Sequence, residues 1–298
     1  MSSRRVEESA GAGGSLASTV SHLRPADVSI RTLAGLLGLI PVLAVTLYRV
    51  AHNAPGDLTA GLPEAVVLWL PVAIVGPALA GFLLAASSDR VSERVGLAFI
   101  GSFSLISVAS PIAWYPAAIG IVVGGGIVVW SWNDRLYNGH VSSSVRELGG
   151  AGVLVAGVAF SLAATVGVAP AVLRPLGSAV ALVGVGVSPV FVGWDRLSLY
   201  VGALAAILTF SFATSAPYVA GAVLLVGGGV VGTPLVLVLL GVGGGITALT
   251  HALRTTRTDG AVGVALLLAA GVPSTLLGAS GVLVAVALFA TASRGEHR

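Results

Sequence analysis

The chain has 298 residues, 56% of them hydrophobic and only 9% charged, with a mean hydropathy of +1.00 and a formal net charge of +3. Soluble domains carry about 25% charged residues, so the composition excludes a water-soluble globular fold. The absence of cysteine removes disulfides, thiolate metal sites and cysteine nucleophiles, and arginines scattered over loop ends at so small a net charge do not form a nucleic-acid surface.

Runs such as Val66–Leu70 and Val262–Ala270 do not alternate apolar and polar positions, as the strands of a transmembrane barrel do. In lipid the helix is the other solution, because it satisfies every backbone N–H and C=O within its own segment. The expected fold class is therefore all-α, a polytopic integral membrane helical bundle. All 15 basic residues are arginine; with the wealth of Ala, Gly and Val this points to a GC-rich prokaryotic genome.

Residues 1–30 are polar, with mixed charge and a Gly/Ser-rich centre. They read as a disordered cytoplasmic tail, and the late start of the apolar run argues against a signal peptide. Residues 31–293 form one transmembrane domain and residues 294–298 a short polar tail. The first span is Thr32 to about Val50, with Pro41 tolerable if a neighbouring helix repairs the lost hydrogen bond. After a turn-rich loop at His52–Glu64, a second span runs from about Ala65 to Ala86 and is closed by Asp89–Arg94. Val95–Ser110 and Pro116–Trp132 follow as short spans, which a bilayer accommodates by local thinning. The polar loop Asn133–Glu147 comes next. Leu148–Val168 and Leu176–Trp194 are joined through a turn at Ala169–Pro175. Between Arg196 and Arg254 there is no Asp, Glu or Arg, and Ala261–Ser293, interrupted at Pro273, completes the domain.

Arginine orients this plan. If the N-terminus is cytoplasmic and each polar loop returns there, 13 arginines lie inside and only Arg49 and Arg174 outside, as the positive-inside rule requires. Five hairpins and ten crossings result, in the cell membrane. Tyr48, Trp114, Tyr115 and Tyr218 then fall near outer turns, and Trp130, Trp132, Tyr137, Trp194 and Tyr200 near inner ends, where amphipathic rings belong. The fourth hairpin is the strained one. Leu197–Ala216 and Pro234–Leu253 are good spans, which leaves Pro217–Thr233 over. That segment either crosses as an eleventh span, dips in and out as a re-entrant half-helix, or extends two long tilted helices.

Glycine supplies the first motif. Gly120/Gly124, Gly228/Gly232 and Gly241/Gly245 have GxxxG spacing, which sets two glycines on one helix face and lets another backbone approach. Helix packing is the plain reading; a path lined by exposed backbone at Gly227–Gly229 is the sharper one, and needs that segment to be non-helical. The second motif is a local echo: Trp132-Asn133-Asp134-Arg135 resembles Trp194-Asp195-Arg196, with Asp89-Arg90 a fainter copy. Asp134, Arg135, Asp195 and Arg196 are candidate cytoplasmic docking residues. The plainer reading is Trp at the interface, Arg obeying positive-inside and Asp offsetting its charge.

No P-loop lysine, H-E-x-x-H, G-x-S-x-G or paired metal ligands occur, so no cofactor or metal is expected, and a membrane enzyme is the least supported reading. His251 reads as an interfacial packing residue, and Arg174 as snorkelling at an outer turn. No Asp, Glu or Arg falls inside a span so drawn, whereas ion-coupled carriers and pumps place ionisable groups there. Two functional readings follow. One is a permease-like protein, or the membrane subunit of a transport complex for a small solute or ion, with Ser104, Ser107, Ser161, Thr165, Thr209 and Ser211 lining a polar path. The other is a non-transporting scaffold or assembly protein associating through glycine-rich helix faces. The implied partners are the lipid bilayer and either another protein or a second copy, with no nucleic acid.

Overall fold

The computed structural model describes residues 29–53, 68–133, 141–215 and 234–292, and among these every regular element is a helix. In chain order they are α1 (Ile30–Asn53), α2 (Val75–Ser87), α3 (Val91–Ala109), α4 (Trp114–Trp130), α5 (Val141–Thr165) and α6 (Pro170–Gly186). The one-turn α7 (Pro189–Val192), α8 (Arg196–Ser215), α9 (Leu235–Arg254), α10 (Thr258–Ala270) and α11 (Leu276–Ala292) follow. Short 3-10 turns at Pro71–Ile74 and Pro111–Ala113 lead into α2 and α4.

Side-chain size decides which helix takes the centre. Helix α11, LLGASGVLVAVALFATA, is apolar all round and slim, rich in Gly, Ala and Ser. Small side chains let neighbouring backbones close in from every direction, and Ala279–Ala290 is buried without interruption. Around it α1, α2, α3, α4, α5 and α10 pack on it directly, and α6 and α9 complete the ring from α5 to α10, which returns to α1. Helix α8 stands outside this ring against α9. Its bulky Tyr200, Leu204, Ile207, Phe210 and Phe212 point outward, as lipid-facing residues do.

By length and composition six helical stretches are long and apolar enough to cross a membrane: Ile30–His52, Val91–Ala109, Val145–Thr165, Pro170–Val192, Arg196–Ser215 and Leu235–Arg254. Pro71–Ser87, Trp114–Trp130, Thr258–Ala270 and Leu276–Ala290 are shorter apolar helices. Helices α8 and α9 are antiparallel. Asp195 meets Arg254 at one end of the pair, and a Cβ on Gly202 would strike Thr247 and the Gly243 carbonyl further along. Ser215 and Leu235 therefore stand at the same end. Pro217–Thr233, and with it the choice between crossing, dip and extension, lies outside the described residues, as do the tails at 1–28 and 293–298.

Three boundaries differ from the sequence reading. Helix α5 begins at Val141, so the Ser-rich run read as loop is helical. Ala169–Pro175 is not a turn but the first turns of α6, with Pro170 at the opening position, where its missing N–H costs nothing. Arg174 is consequently a helical residue. Val91–Arg94 likewise belongs to α3. At Pro41 a neighbouring helix comes close: the Leu37 carbonyl, which proline cannot satisfy, faces Gly76 of α2, where a Cβ would come within 2.6 Å of it. Only a residue without a side chain brings a second backbone that close.

Candidate functional site at the arginine-rich end

Polar chemistry gathers at one end of the bundle. The start of α1 meets the start of α10 there: Ser29 Oγ donates to Asp259 Oδ1 at 3.1 Å, and Thr32 Oγ1 donates to the same oxygen. Arg90 Nη1 donates to the Ser131 carbonyl at 2.7 Å and Arg94 Nη2 to the Ser88 carbonyl at 2.8 Å. Arg257 Nη1 donates to the Val192 carbonyl at 3.1 Å. In this polar cap the bonds tie the α2–α3 connection to the α4–α5 one, and the α9–α10 connection both to the start of α1 and to the turn between α7 and α8. Among the described arginines, Arg31, Arg90, Arg94, Arg146, Arg196, Arg254 and Arg257 stand at this end, and Arg49 and Arg174 at the other.

Asp195 is the hub of the α7–α8–α9 corner. It caps α8: the Ser198 N–H donates to Asp195 Oδ1 at 2.8 Å, and the Asp195 N–H donates to Ser198 Oγ at 2.9 Å. The exchange satisfies orphan donors of the first turn reciprocally, as a capping box does. Arg254 forms an ion pair with Oδ2. The Ser198 hydroxyl, first, and then its N–H hold the Asp195 carboxyl down at about 2; burial opposes them, and Arg254 and then His251 add smaller downward pulls. His251 Nδ1 lies 3.8 Å from Asp195 Oδ1, beyond hydrogen-bond reach. Gly193 lets this corner close. Its φ is +95°, a left-handed conformation suited to glycine, and a Cβ there would lie 2.9 Å from His251 Nε2.

Beside the corner, Arg146, Glu147, Pro189, Val190, Gly193 and Trp194 line an open pocket of about 390 Å³. Arg146, Trp194 and Arg196 are exposed at its rim or next to it. The floor of the cap is aromatic. Phe191 stacks on Phe289 of α11 with ring centroids 4.7 Å apart and meets Trp132 edge-on at 6.2 Å, so α7 closes the axis where α11 ends.

One ionisable residue escaped the sequence reading. Glu93 is 1% exposed, the sole buried carboxylate among the described residues. Its position was legible in spacing: Glu93, Leu97, Ile100 and Ser104 are all buried and recur at the helical i, i+4, i+7, i+11 interval. Treating Asp89–Arg94 as a polar loop hid that stripe.

The other sequence-derived candidates separate. A Cβ on Gly120 would fall 2.1 Å from the Phe103 ring, and one on Gly124 2.7 Å from the Gly96 carbonyl. Gly241 faces Leu182 at 3.3 Å and Gly245 faces Leu268 at 2.5 Å by the same measure. These four serve contacts within the chain. Gly227, Gly228, Gly229, Gly232, Asp134 and Arg135 lie outside the described residues. Of the docking candidates, the Asp195 carboxylate is engaged internally and Arg196 is exposed. The hydroxyls do not form a path. Ser107, Thr165, Thr209 and Ser211 each donate to a carbonyl one turn back in their own helix, a common use of such residues. Ser104 and Ser161 are buried on separate helices with no hydrogen-bond partner for the hydroxyl. No group of metal-binding side chains occurs among the described residues.

Apolar helices surrounding an apolar axis, with charge confined to the ends, define a polytopic α-helical integral membrane protein. The chain belongs to an integral membrane family of unknown function (DUF8068), whose family model matches residues 31–290. No curated protein and no solved structure matches it.

Proposed function

We propose that the protein crosses the cell membrane ten times with its N-terminus and arginine-rich end in the cytoplasm, and acts as a non-transporting scaffold or complex subunit that docks a protein partner at that end. The observation that carries this reading is the filled axis. Helix α11 is buried along Ala279–Ala290 and the Phe191–Phe289 stack covers its end, whereas permeation needs a polar or water-filled route. The shared end of Ser215 and Leu235 favours an even number of crossings, and the arginine asymmetry favours the orientation. Association through the glycine faces at Gly120, Gly124, Gly241 and Gly245 is disfavoured, because those faces are already occupied. The exposed Trp194, Arg196 and Arg146 around a pocket braced by Asp195 and Arg254 are the available docking surface, matched to an acidic or aromatic segment.

The test is site-specific photocrosslinking in intact membranes, paired with flux assays in proteoliposomes. A photoreactive residue at Trp194 or Arg196 is expected to capture one discrete partner, while the same probe at Val236, exposed at the far end of α9, captures none. Solute flux by the purified protein, with no adduct from either position, would reverse the assignment in favour of the permease reading.

A further inference from the structure

The wall of the bundle is open between α4 and α5, the slackest contact in the ring. Val129, Leu148, Gly152, Val155 and Ala159 line an apolar groove of about 500 Å³ there, with Gly126 in its floor. A Cβ placed on Gly126 or Gly152 would meet nothing within 4 Å. On the same two helices a Cβ on Gly124 would come 2.7 Å from the Gly96 backbone, and one on Gly157 2.9 Å from the Ala181 backbone. The open glycines therefore do not hold this chain together; they keep a trough clear.

Its length and its mouth identify the occupant. From Leu148 to Ala159 the groove runs along α5 for roughly 17 Å at ~1.5 Å per residue, about half the ~30 Å thickness of a hydrocarbon core. That is the depth of one leaflet. A transmembrane helix of a partner would continue through both leaflets, but Ile119 and Val123 share the face of α4 that carries Gly126, by helical spacing, and are exposed further toward the far end. They fill the line such a helix would follow. At the arginine-rich end the groove opens between Trp130 and Asn133. Arg90 holds the carbonyl of Ser131, between those two residues, at 2.7 Å, and has no carboxylate partner among the described residues. A cation, an amide and an indole above an apolar trough complement an anionic head on a single long tail.

We infer that this groove binds one acyl chain of an anionic phospholipid of the leaflet at the arginine-rich end, with the headgroup at Arg90, Asn133 and Trp130. The inference is independent of the docking role and of which side of the cell that end faces. To test it, detergent-purified protein is equilibrated with mixed micelles of equal phosphatidylglycerol and phosphatidylcholine, and bound lipid is read by native mass spectrometry. The wild type is expected to retain one phosphatidylglycerol, with at least tenfold preference over phosphatidylcholine. Gly152→Leu and, on α4, Gly126→Leu are expected to reduce that occupancy at least tenfold. Arg90→Gln retains a lipid but loses the headgroup preference. Ser211→Leu on the exposed face of α8 changes neither. Helicity and elution volume confirm folding of each variant. Wild-type occupancy and preference in both leucine variants would overturn the site. A dimer dissociated by Gly152→Leu with lipid retention unaltered would overturn it too, assigning the groove to a second copy.

Discussion

Two adjacent glycines of α9 carry opposite expectations. A Cβ on Gly244 would lie 2.0 Å from the Gly186 carbonyl oxygen and 2.7 Å from its Cα. Both sides of that contact are backbone, so no rotamer change relieves it, and α6 and α9 must separate by more than an ångström. Overpacking a close-packed interface costs typically 1–3 kcal/mol, and a backbone clash belongs at about 3. The gain in helix propensity from Gly to Ala, about 1 kcal/mol, offsets part of this and leaves Gly244→Ala destabilised by about 2 kcal/mol. At Gly243 the same methyl meets Ala206 Cβ at 3.5 Å, an ordinary contact, so Gly243→Ala keeps the propensity gain and is stabilised by up to about 1 kcal/mol. The gap of about 3 kcal/mol corresponds to roughly 6–12 °C at the 2–4 °C per kcal/mol of a domain this size. Heating in detergent followed by size exclusion reads it as the temperature at which half the folded peak is lost. Equal midpoints for the two variants, or the reverse order, would refute the close approach of α6 to α9.

Three further outcomes follow from the same geometry. Phe191→Ala removes a buried ring stacked on Phe289 and is expected to cost about 3–5 kcal/mol, exceeding Gly244→Ala in the same heating assay; a midpoint within error of wild type would mean that α7 does not seal the axis. The Asp195 carboxyl sits at about 2, below the ordinary ~3.9, so its folded state is favoured once the unfolded group ionises. That contribution is fully present above about pH 4 and is lost as the pH falls through about 2, and Asp195→Asn should flatten this acid limb while leaving the pH 5–7 slope unchanged. In this cysteine-free chain, single cysteines at Asp89 and Thr255 are expected to react with an impermeant thiol reagent only from the cytoplasmic side, and those at Ile112 and Ser215 only from outside; Thr255→Cys and Ser215→Cys labelled from one side would remove the ten-crossing plan.

Long-range pattern was legible in this sequence, and local packing was not. Membrane class and the ends to which arginines partition depend on sums over many residues, and neither is upset by a shift of a few positions. Helix starts depend on single residues. The Ser-rich run from Val141 is polar enough to read as loop, yet it lies beyond the span proper, where a helix extends into the interface at little cost. Pro170 looked like a turn residue, although a proline opening a helix leaves no donor stranded, and Pro175 lies within α6. Glycine shows the limit most directly. Gly124 and Gly126 are two residues apart in one triple glycine, so on a helix they point some 200° apart. One abuts the Gly96 backbone and the other faces open space. Spacing shows that a glycine shares a face with another; it does not show what stands opposite.

The placement of the ionisable groups bears on function more than their number does. Burying a charge without a partner in an apolar interior is expensive, and this bundle avoids that cost by filling its axis with Gly, Ala, Val and Leu. Its arginines reach backbone carbonyls that end helices or begin turns, as Arg90 does at Ser131 and Arg257 at Val192. Each such bond fastens one connection to another. A charged platform over an apolar axis is the arrangement that the proposed docking role uses. On the permease reading, a carrier would have to break such contacts to alternate access. The open α4–α5 wall fits the same division: the groove there is apolar along its length, and its polar mouth lies at the end where the platform stands.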